Sequence, residues 1–177
     1  MRSALIFRCF ISRHPELLVK AFTAFALPIL EYAIPVFNPY YLKIVTAIEN
    51  VQRRFTKLIP GFADVPYSER LSTLGLDSLE LRRIRADLVM CYQIIHGLVN
   101  LSFSDFFIFA PDRGTRGYRW KLYFPFSTLD VRKATFASRV VPIWNSLPEN
   151  CVAAESCNAF KTNLLSVNLT RFLTYKM

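Results

Sequence analysis

The stretch LELRRIRADLVMCYQII, residues Leu79–Ile95, decides the fold of this 177-residue chain, because its pattern is that of one long helix. Apolar residues recur there every three or four positions, which is the period of an α-helix with one buried face. The residues of this face are Leu81, Ile84, Leu88, Cys91 and Ile95. We expect Asp77 or Ser78 to cap the start of the helix and Gly97 to end it.

Two longer helices and a short one are predicted before it, and together they indicate a bundle of three main helices. The first begins at Pro15 and is expected to kink at Pro28. Its apolar face consists of Leu18, Phe22, Phe25 and Ile29. The second is capped by Asn38 and begins at Pro39. Its apolar side consists of Val45, Ile48, Val51, Phe55 and Ile59. The short helix, in the sequence PYSERLSTLGL, is closed by Gly75.

The composition changes after residue 100, where YRWKLYFPF (118–126) alternates between two faces, as a β-strand does. One face carries Tyr118, Trp120, Leu122, Phe124 and Phe126, and the other carries Arg119, Lys121 and Tyr123. Pro125 favours an edge strand, and two more helices are predicted over about 133–145 and 154–165. The predicted fold is mainly α: a helical bundle over residues 1–100, then a smaller α segment over residues 101–177 with one β-strand or hairpin.

The stretch PIWNSLPEN, residues 142–150, pairs a tryptophan with an asparagine between two prolines. We expect Trp144 to pack inward, and Asn145 and Ser146 to cap a helix or turn the chain. The alternative is that this stretch contacts nucleic acid.

The chain carries a net charge of +9, and its basic residues are concentrated over residues 43–60 and 112–148. Basic regions of this kind attract phosphate backbones or anionic lipid, and the alternative is a basic surface that is simply solvated. Hydrophobic residues make up 53% of the chain, which indicates apolar surface that meets a partner protein. No uninterrupted run of about 20 apolar residues exists, so we expect no membrane span.

No catalytic, metal or cofactor site is predicted. Polymerase and nuclease chemistry needs converging carboxylates, but the sequence contains no Asp-Asp pair. Asp77 and Glu80 lie three residues apart at a helix start, where capping explains them. The four cysteines are scattered without a CxxC motif, which argues against zinc and favours a reducing, intracellular compartment, nucleus or cytoplasm. We therefore expect no enzymatic activity from this chain alone.

Two groups of basic residues are candidates for binding nucleic acid. Arg53, Arg54 and Lys57 share the exposed end of the second long helix, QRRFTK. Arg116, Arg119, Lys121 and Arg139 surround the predicted strand, where Tyr118, Trp120 and Tyr123 are interleaved with them. Arginine with aromatic residues suits nucleic acid, because the charges hold phosphates and the rings stack on bases. The alternative is that each ring belongs to the core.

Five segments in a fixed order carry a family likeness. They are PILEYAIPVFNP, IENVQRRFTKLI, YSERLSTLGLDSLELRRIRADLVMCYQIIHGL, TRGY and FASRVVPIWNSLPENCVAAESCNAFKTNL. This order resembles the reverse transcriptases of jockey-type, LINE-like non-LTR retrotransposons, in the thumb and the segment after it. Two positions depart from the family pattern: Leu27 stands where an arginine is expected, and Phe37 where a tryptophan is usual.

The resemblance implies that the catalytic aspartates of the RNA-directed DNA polymerase lie in a palm domain upstream of this region. It implies that the thumb-like helices clasp a template–primer duplex, with Arg53, Arg54 and Lys57 on its backbone. Arg116, Arg119 and Arg139 would bind element RNA or target DNA. Two alternatives remain: a structural domain that docks on the polymerase palm, and a truncated copy with no selected function.

Overall fold

The computed structural model describes residues 2–36, 38–39, 41–111, 119–124 and 135–174 of the chain. The described part is mainly helical, which confirms the predicted fold class. The α-helices are α1 (Arg2–Cys9), α2 (Pro15–Phe25), α3 (Leu27–Leu30), α4 (Leu42–Lys57), α5 (Tyr67–Leu74), α6 (Leu79–Ile95), α7 (Phe103–Phe106), α8 (Phe136–Trp144), α9 (Glu149–Val152) and α10 (Cys157–Leu165). A 3-10 helix follows at Thr170–Phe172.

The predicted strand is reduced to a single antiparallel bridge between Phe109 and Leu122, and the described residues contain no β-strand. The prediction is therefore wrong for residues 119–124, because only one residue of each segment pairs in the manner of a β-ladder. Residues 118 and 125–126 of the predicted strand lie outside the described residues.

The chain separates into two compact units, Met1–Arg83 with Leu173–Met177, and Ile84–Phe172. The boundary between these units falls within α6, whereas the sequence places a domain boundary at residue 100. Compactness does not test whether a segment folds independently, so the division into domains 1–100 and 101–177 stays a prediction.

The core of the first unit is built from α1, α2, α4 and the residues that flank them. Its buried residues are Ile6, Leu18, Ala21, Phe22, Ala26, Leu27, Phe55, Ile59 and Leu79. Phe22 of α2 stacks on Phe55 of α4, with ring centroids 4.3 Å apart. An aromatic pair of this kind adds to the free energy gained from burying the two rings.

The predicted apolar face of the first long helix is only half correct. Leu18 and Phe22 are buried, but Phe25 is 61% exposed and Ile29 is 48% exposed. The helix is interrupted between α2 and α3, where Pro28 supplies no backbone N–H to continue it. Ala26 and Leu27, at the interruption, enter the core instead.

The second long helix, α4, begins at Leu42 with Tyr41 as its N-cap residue, three residues after the predicted start at Pro39. The starts and ends of the later helices agree better with the sequence. Ser78 Oγ accepts a hydrogen bond from the Leu81 N–H and caps α6. Gly75 ends α5 with a positive φ of 64°, a conformation that costs glycine little.

The core of the second unit is aromatic. Tyr92 of α6 stacks on Phe160 of α10 with centroids 4.6 Å apart, and the Tyr92 hydroxyl donates to the Ala154 carbonyl at 2.6 Å. Trp144, at the end of α8, is fully buried and lies 5.8 Å from the same Phe160 ring. The prediction that Trp144 packs inward is confirmed.

Candidate nucleic-acid interface

The first candidate group lies at the C-terminal end of α4, and its three cations differ in environment. Arg54 and Lys57 are exposed and form no hydrogen bond or ion pair with any described residue. Arg53 is half-buried, with its guanidinium carbon 4.9 Å from the centroid of the Tyr67 ring. We call these three residues the basic helix end. The C-terminus of a helix attracts cations through its dipole, which is a structural reason for their presence.

The prediction that QRRFTK is an exposed end is wrong for Gln52 and Thr56, whereas the burial of Phe55 agrees with its predicted place on the apolar side. Gln52, Phe55 and Thr56 are fully buried, because α4 packs a polar strip as well as an apolar one. The Gln52 side-chain amide donates to the Asp77 carbonyl at 2.9 Å, and Thr56 Oγ1 accepts from Arg70 Nε at 3.2 Å. Arg70 also donates to the Val65 carbonyl at 2.8 Å.

Glu49 is the centre of this polar strip and is fully buried. Its Oε1 accepts from the Tyr67 hydroxyl at 2.6 Å, and its two carboxylate oxygens accept from the backbone N–H groups of Leu79 and Glu80 at 3.3 Å. The carboxylate thus lies at the N-terminus of α6, where unpaired N–H groups and the helix dipole favour a negative charge.

Burial of the Tyr67 hydroxyl, reinforced by the Glu49 carboxylate, raises the pKa of Tyr67 far above its ordinary value of 10.0. Tyr67 therefore stays protonated and keeps donating to Glu49 throughout the physiological pH range. The consequence for the basic helix end is rigidity, because α4 is tied to α5 and to the start of α6 by buried hydrogen bonds.

The second candidate group lies around the bridge between Phe109 and Leu122. We call residues 108–110 and 119–124 the ribbon. Its inner edge is joined by hydrogen bonds from the Ala110 N–H to the Lys121 carbonyl, at 2.9 Å, and from the Tyr123 N–H to the Ile108 carbonyl, at 2.7 Å.

The outer edge of residues 120–122 is closed by the side chains of Trp144 and Asn145. Trp144 Nε1 donates to the Trp120 carbonyl at 2.9 Å. Asn145 Oδ1 accepts from the Leu122 N–H at 2.9 Å, and Asn145 Nδ2 donates to the Leu122 carbonyl at 2.8 Å. The side chains at the end of α8 thus take the place of a neighbouring strand.

Arg119 is exposed, and its guanidinium carbon lies 4.6 Å from the centroid of the Trp120 ring. The Trp120 ring in turn lies 4.8 Å from His96, which stacks on Tyr92 at 4.2 Å. Burial lowers the pKa of His96, although a hydrogen bond with the Val152 backbone opposes the shift. The His96 imidazole is therefore neutral at physiological pH. It contacts the Trp120 ring, which the Arg119 guanidinium also contacts.

Arg139 has a different role from its neighbours. Its Nε and a terminal nitrogen contact the two carboxylate oxygens of Asp87 at 2.8 Å and 3.0 Å. The Asp87 side chain is almost fully buried, so this bidentate ion pair joins α6 to α8 within the second unit. Because Asp87 occupies its guanidinium, Arg139 serves the packing of the second unit. Lys121 is half-buried, and Arg116 lies outside the described residues.

The structural role of Glu49 was not predicted from the sequence, and a cap or turn role was predicted for Asn145 without its partner. Glu49 lies one helical turn after the buried Val45, but a charged residue is not expected in a core, and only the folded chain brings it to the start of α6. Asn145 had a signal, since an asparagine at a helix end is typical of turn and capping roles. Its partner, Leu122, could not be found from that signal.

The described ranges hold no group of three His, Cys, Asp or Glu side chains able to bind a metal ion. Burial raises the pKa of the Cys91 and Cys151 thiols, which makes both poor nucleophiles. No helix among the described residues is long and apolar enough to cross a membrane. Comparison of the chain with protein-family models, curated proteins and solved structures gave no match.

Proposed function

We propose that the chain corresponds to the thumb and downstream segment of a non-LTR retrotransposon reverse transcriptase, and that it binds an RNA–DNA hybrid by its phosphates. The observation that carries this proposal is the pair of exposed cations, Arg54 and Lys57, on a helix end held by buried hydrogen bonds. A rigid support means that the backbone need not be ordered on binding, so the entropy cost is confined to the two side chains. Such a chain acts where nucleic acid is present, in the nucleus or the cytoplasm.

Binding is independent of base sequence, because Arg54 and Lys57 contact phosphate oxygens and no base edges. Such contacts position the protein on the duplex without reading its sequence. Arg53 contributes charge from its place against the Tyr67 ring, where it cannot extend freely. Catalysis is left to a palm domain elsewhere in the polymerase, in keeping with the absence of an Asp-Asp pair from the sequence.

The test is the salt dependence of binding to an RNA–DNA hybrid. For the full chain, the logarithm of affinity should fall linearly with the logarithm of salt concentration. The double variant Arg54→Ala, Lys57→Ala should flatten the slope by about 1 to 2, since each lost phosphate contact removes about 0.9. The control, Lys20→Ala with Lys161→Ala, removes the same charge from two exposed helical sites. Equal slopes for the two double variants would contradict the proposal, as would salt-independent binding.

A second candidate function, docking on a polymerase palm, is favoured by four exposed apolar residues in the first unit. Phe25, Ile29, Tyr32 and Val36 are all exposed. The one charged residue between them, Glu31, is paired with Arg82. Exposed apolar side chains suit an apolar protein partner. If it docks a palm, the double variant Phe25→Ser, Tyr32→Ser should lose binding to an isolated palm domain and keep its hybrid affinity. Unchanged palm binding would exclude this function.

A further inference from the structure

We infer that the exposed rings of the ribbon, Tyr123 and Phe124, bind unpaired nucleobases by stacking, so that the second unit holds a single strand of RNA or DNA. This inference rests on the proposed function for its ligand class but assigns a separate site. Its basis is the distribution of exposed rings and cations over residues 119–124.

Two adjacent rings of the ribbon are open to solvent. Tyr123 is 49% exposed and Phe124 is 46% exposed, whereas Leu122 beside them is buried. Rings that are about half exposed offer apolar area on which an unpaired base can stack. Bases within a duplex are already stacked on each other, so these rings discriminate in favour of single strands.

An exposed cation lies in the same segment, four residues before Tyr123. The Arg119 guanidinium lies against the Trp120 ring, and it forms no ion pair or hydrogen bond with the described residues. Its N–H groups therefore remain available to a phosphate oxygen, while the cation–π contact limits the freedom that binding would cost. Arg139 serves as the contrast in the same unit, because its guanidinium is occupied by Asp87.

At the edge formed by residues 120–122, side-chain hydrogen bonds oppose pairing with a strand from another protein. The Trp120 carbonyl and both backbone groups of Leu122 are already bonded to Trp144 and Asn145. A further strand could not add at this edge without displacing those side chains. Recognition by residues 119–124 therefore depends on their side chains, and Trp144 and Asn145 position them.

The experiment uses the full chain and measures its affinity for three labelled probes: a 12-nucleotide oligouridine, a 12-nucleotide oligothymidine, and a fully paired RNA–DNA hybrid. The variant Tyr123→Leu should weaken binding of both single strands about tenfold, in line with the loss of one stacked base. Its affinity for the hybrid should change less than twofold. Tyr123→Phe should bind as the unchanged chain does, because the ring is retained.

The matched control is Tyr32→Leu, which removes another exposed tyrosine. It should bind all three probes normally. The inference is overturned if Tyr123→Leu retains its single-strand affinity, if it weakens the hybrid equally, or if the unchanged chain binds only the hybrid. In that last case the proposed function stands alone. If neither the unchanged chain nor its variants bind the hybrid, but single-strand affinity still depends on Tyr123, the hybrid site is rejected and the ribbon site stands.

Discussion

The side-chain amide of Asn145 pairs with both backbone hydrogen-bonding groups of Leu122, accepting from its N–H at 2.9 Å and donating to its carbonyl at 2.8 Å. One side chain thereby satisfies a buried residue as a neighbouring β-strand would. The arrangement also fixes which end of the Asn145 amide is oxygen, since each atom meets a partner of the opposite kind.

Replacement of Asn145 by alanine should destabilise the chain, because Leu122 would keep two buried backbone groups without partners. We expect a loss of about 1–3 kcal/mol in the free energy of unfolding, measured by urea denaturation. Asn145→Asp should cost at least as much as Asn145→Ala, because its second carboxylate oxygen would face the Leu122 carbonyl oxygen. The control Asn158→Ala, at an exposed helical position, should change stability by less than about 0.5 kcal/mol. An effect of Asn145→Ala as small as that of the control would contradict the role assigned to this contact.

Glu49 and Tyr67 should show strong energetic coupling. Tyr67→Phe removes the donor of a short hydrogen bond to a buried carboxylate, and should cost about 1.5–3 kcal/mol. Glu49→Gln should be destabilising as well, because its amide nitrogen would face a backbone N–H of α6. The double variant should lose less than the sum of the two single losses in a double-mutant cycle. Additive losses would show that the two residues act independently.

The ion pair between Arg139 and Asp87 should be more important to folding than to nucleic-acid binding. Arg139→Met removes the bidentate ion pair from the buried Asp87 carboxylate, and we expect a loss of about 3–5 kcal/mol on denaturation. Asp87→Asn combined with Arg139→Met should recover part of that loss. Arg139→Lys should recover little, since an ammonium cannot pair bidentately. The pair would be judged peripheral if Arg139→Met unfolded at the same urea concentration as the unchanged chain.

The stability of the chain should depend on His96 below about neutral pH. Burial lowers the pKa of His96 from its ordinary value of 6.5, so the unfolded chain binds a proton that the folded chain does not. The contribution of neutral His96 is therefore complete above pH 6.5 and is lost progressively as the pH falls below that value. The fall in unfolding free energy should be smaller in His96→Phe, which keeps a ring against Tyr92 and Trp120. His14→Gln, at the other histidine of the sequence, should retain the full dependence. Identical pH profiles for His96→Phe and the unchanged chain would rule out this role.

Predictions from the sequence were correct where a feature depends on residues close in the chain, and less reliable where it depends on residues far apart in the chain. Ser78 as a cap and Gly75 as a helix end were predictable, because each depends on residues within one turn. The period of α6 predicted its buried Leu88 and Cys91 for the same reason. Phe25 and Ile29 were assigned to the core incorrectly, since periodicity cannot say where the partner surface ends.

The candidate sites show the same limit. The sequence identified Arg54, Lys57 and Arg119 by composition and clustering. It could not separate them from Arg139, whose partner Asp87 lies 52 residues away. It also placed a strand at YRWKLYFPF from its alternation, where the folded chain uses a bridge and the Asn145 side chain.

The sequence by itself determined the helical class, several helix limits and the basic character of two regions. These properties follow from local backbone preferences, from side-chain period and from charge. The tertiary structure alone decided that Glu49 meets the start of α6, 30 residues on, and that Asn145 meets Leu122, 23 residues before it. Such pairings depend on which segments are brought together when the cores form. A buried polar group then takes whichever partner the packed chain places within reach.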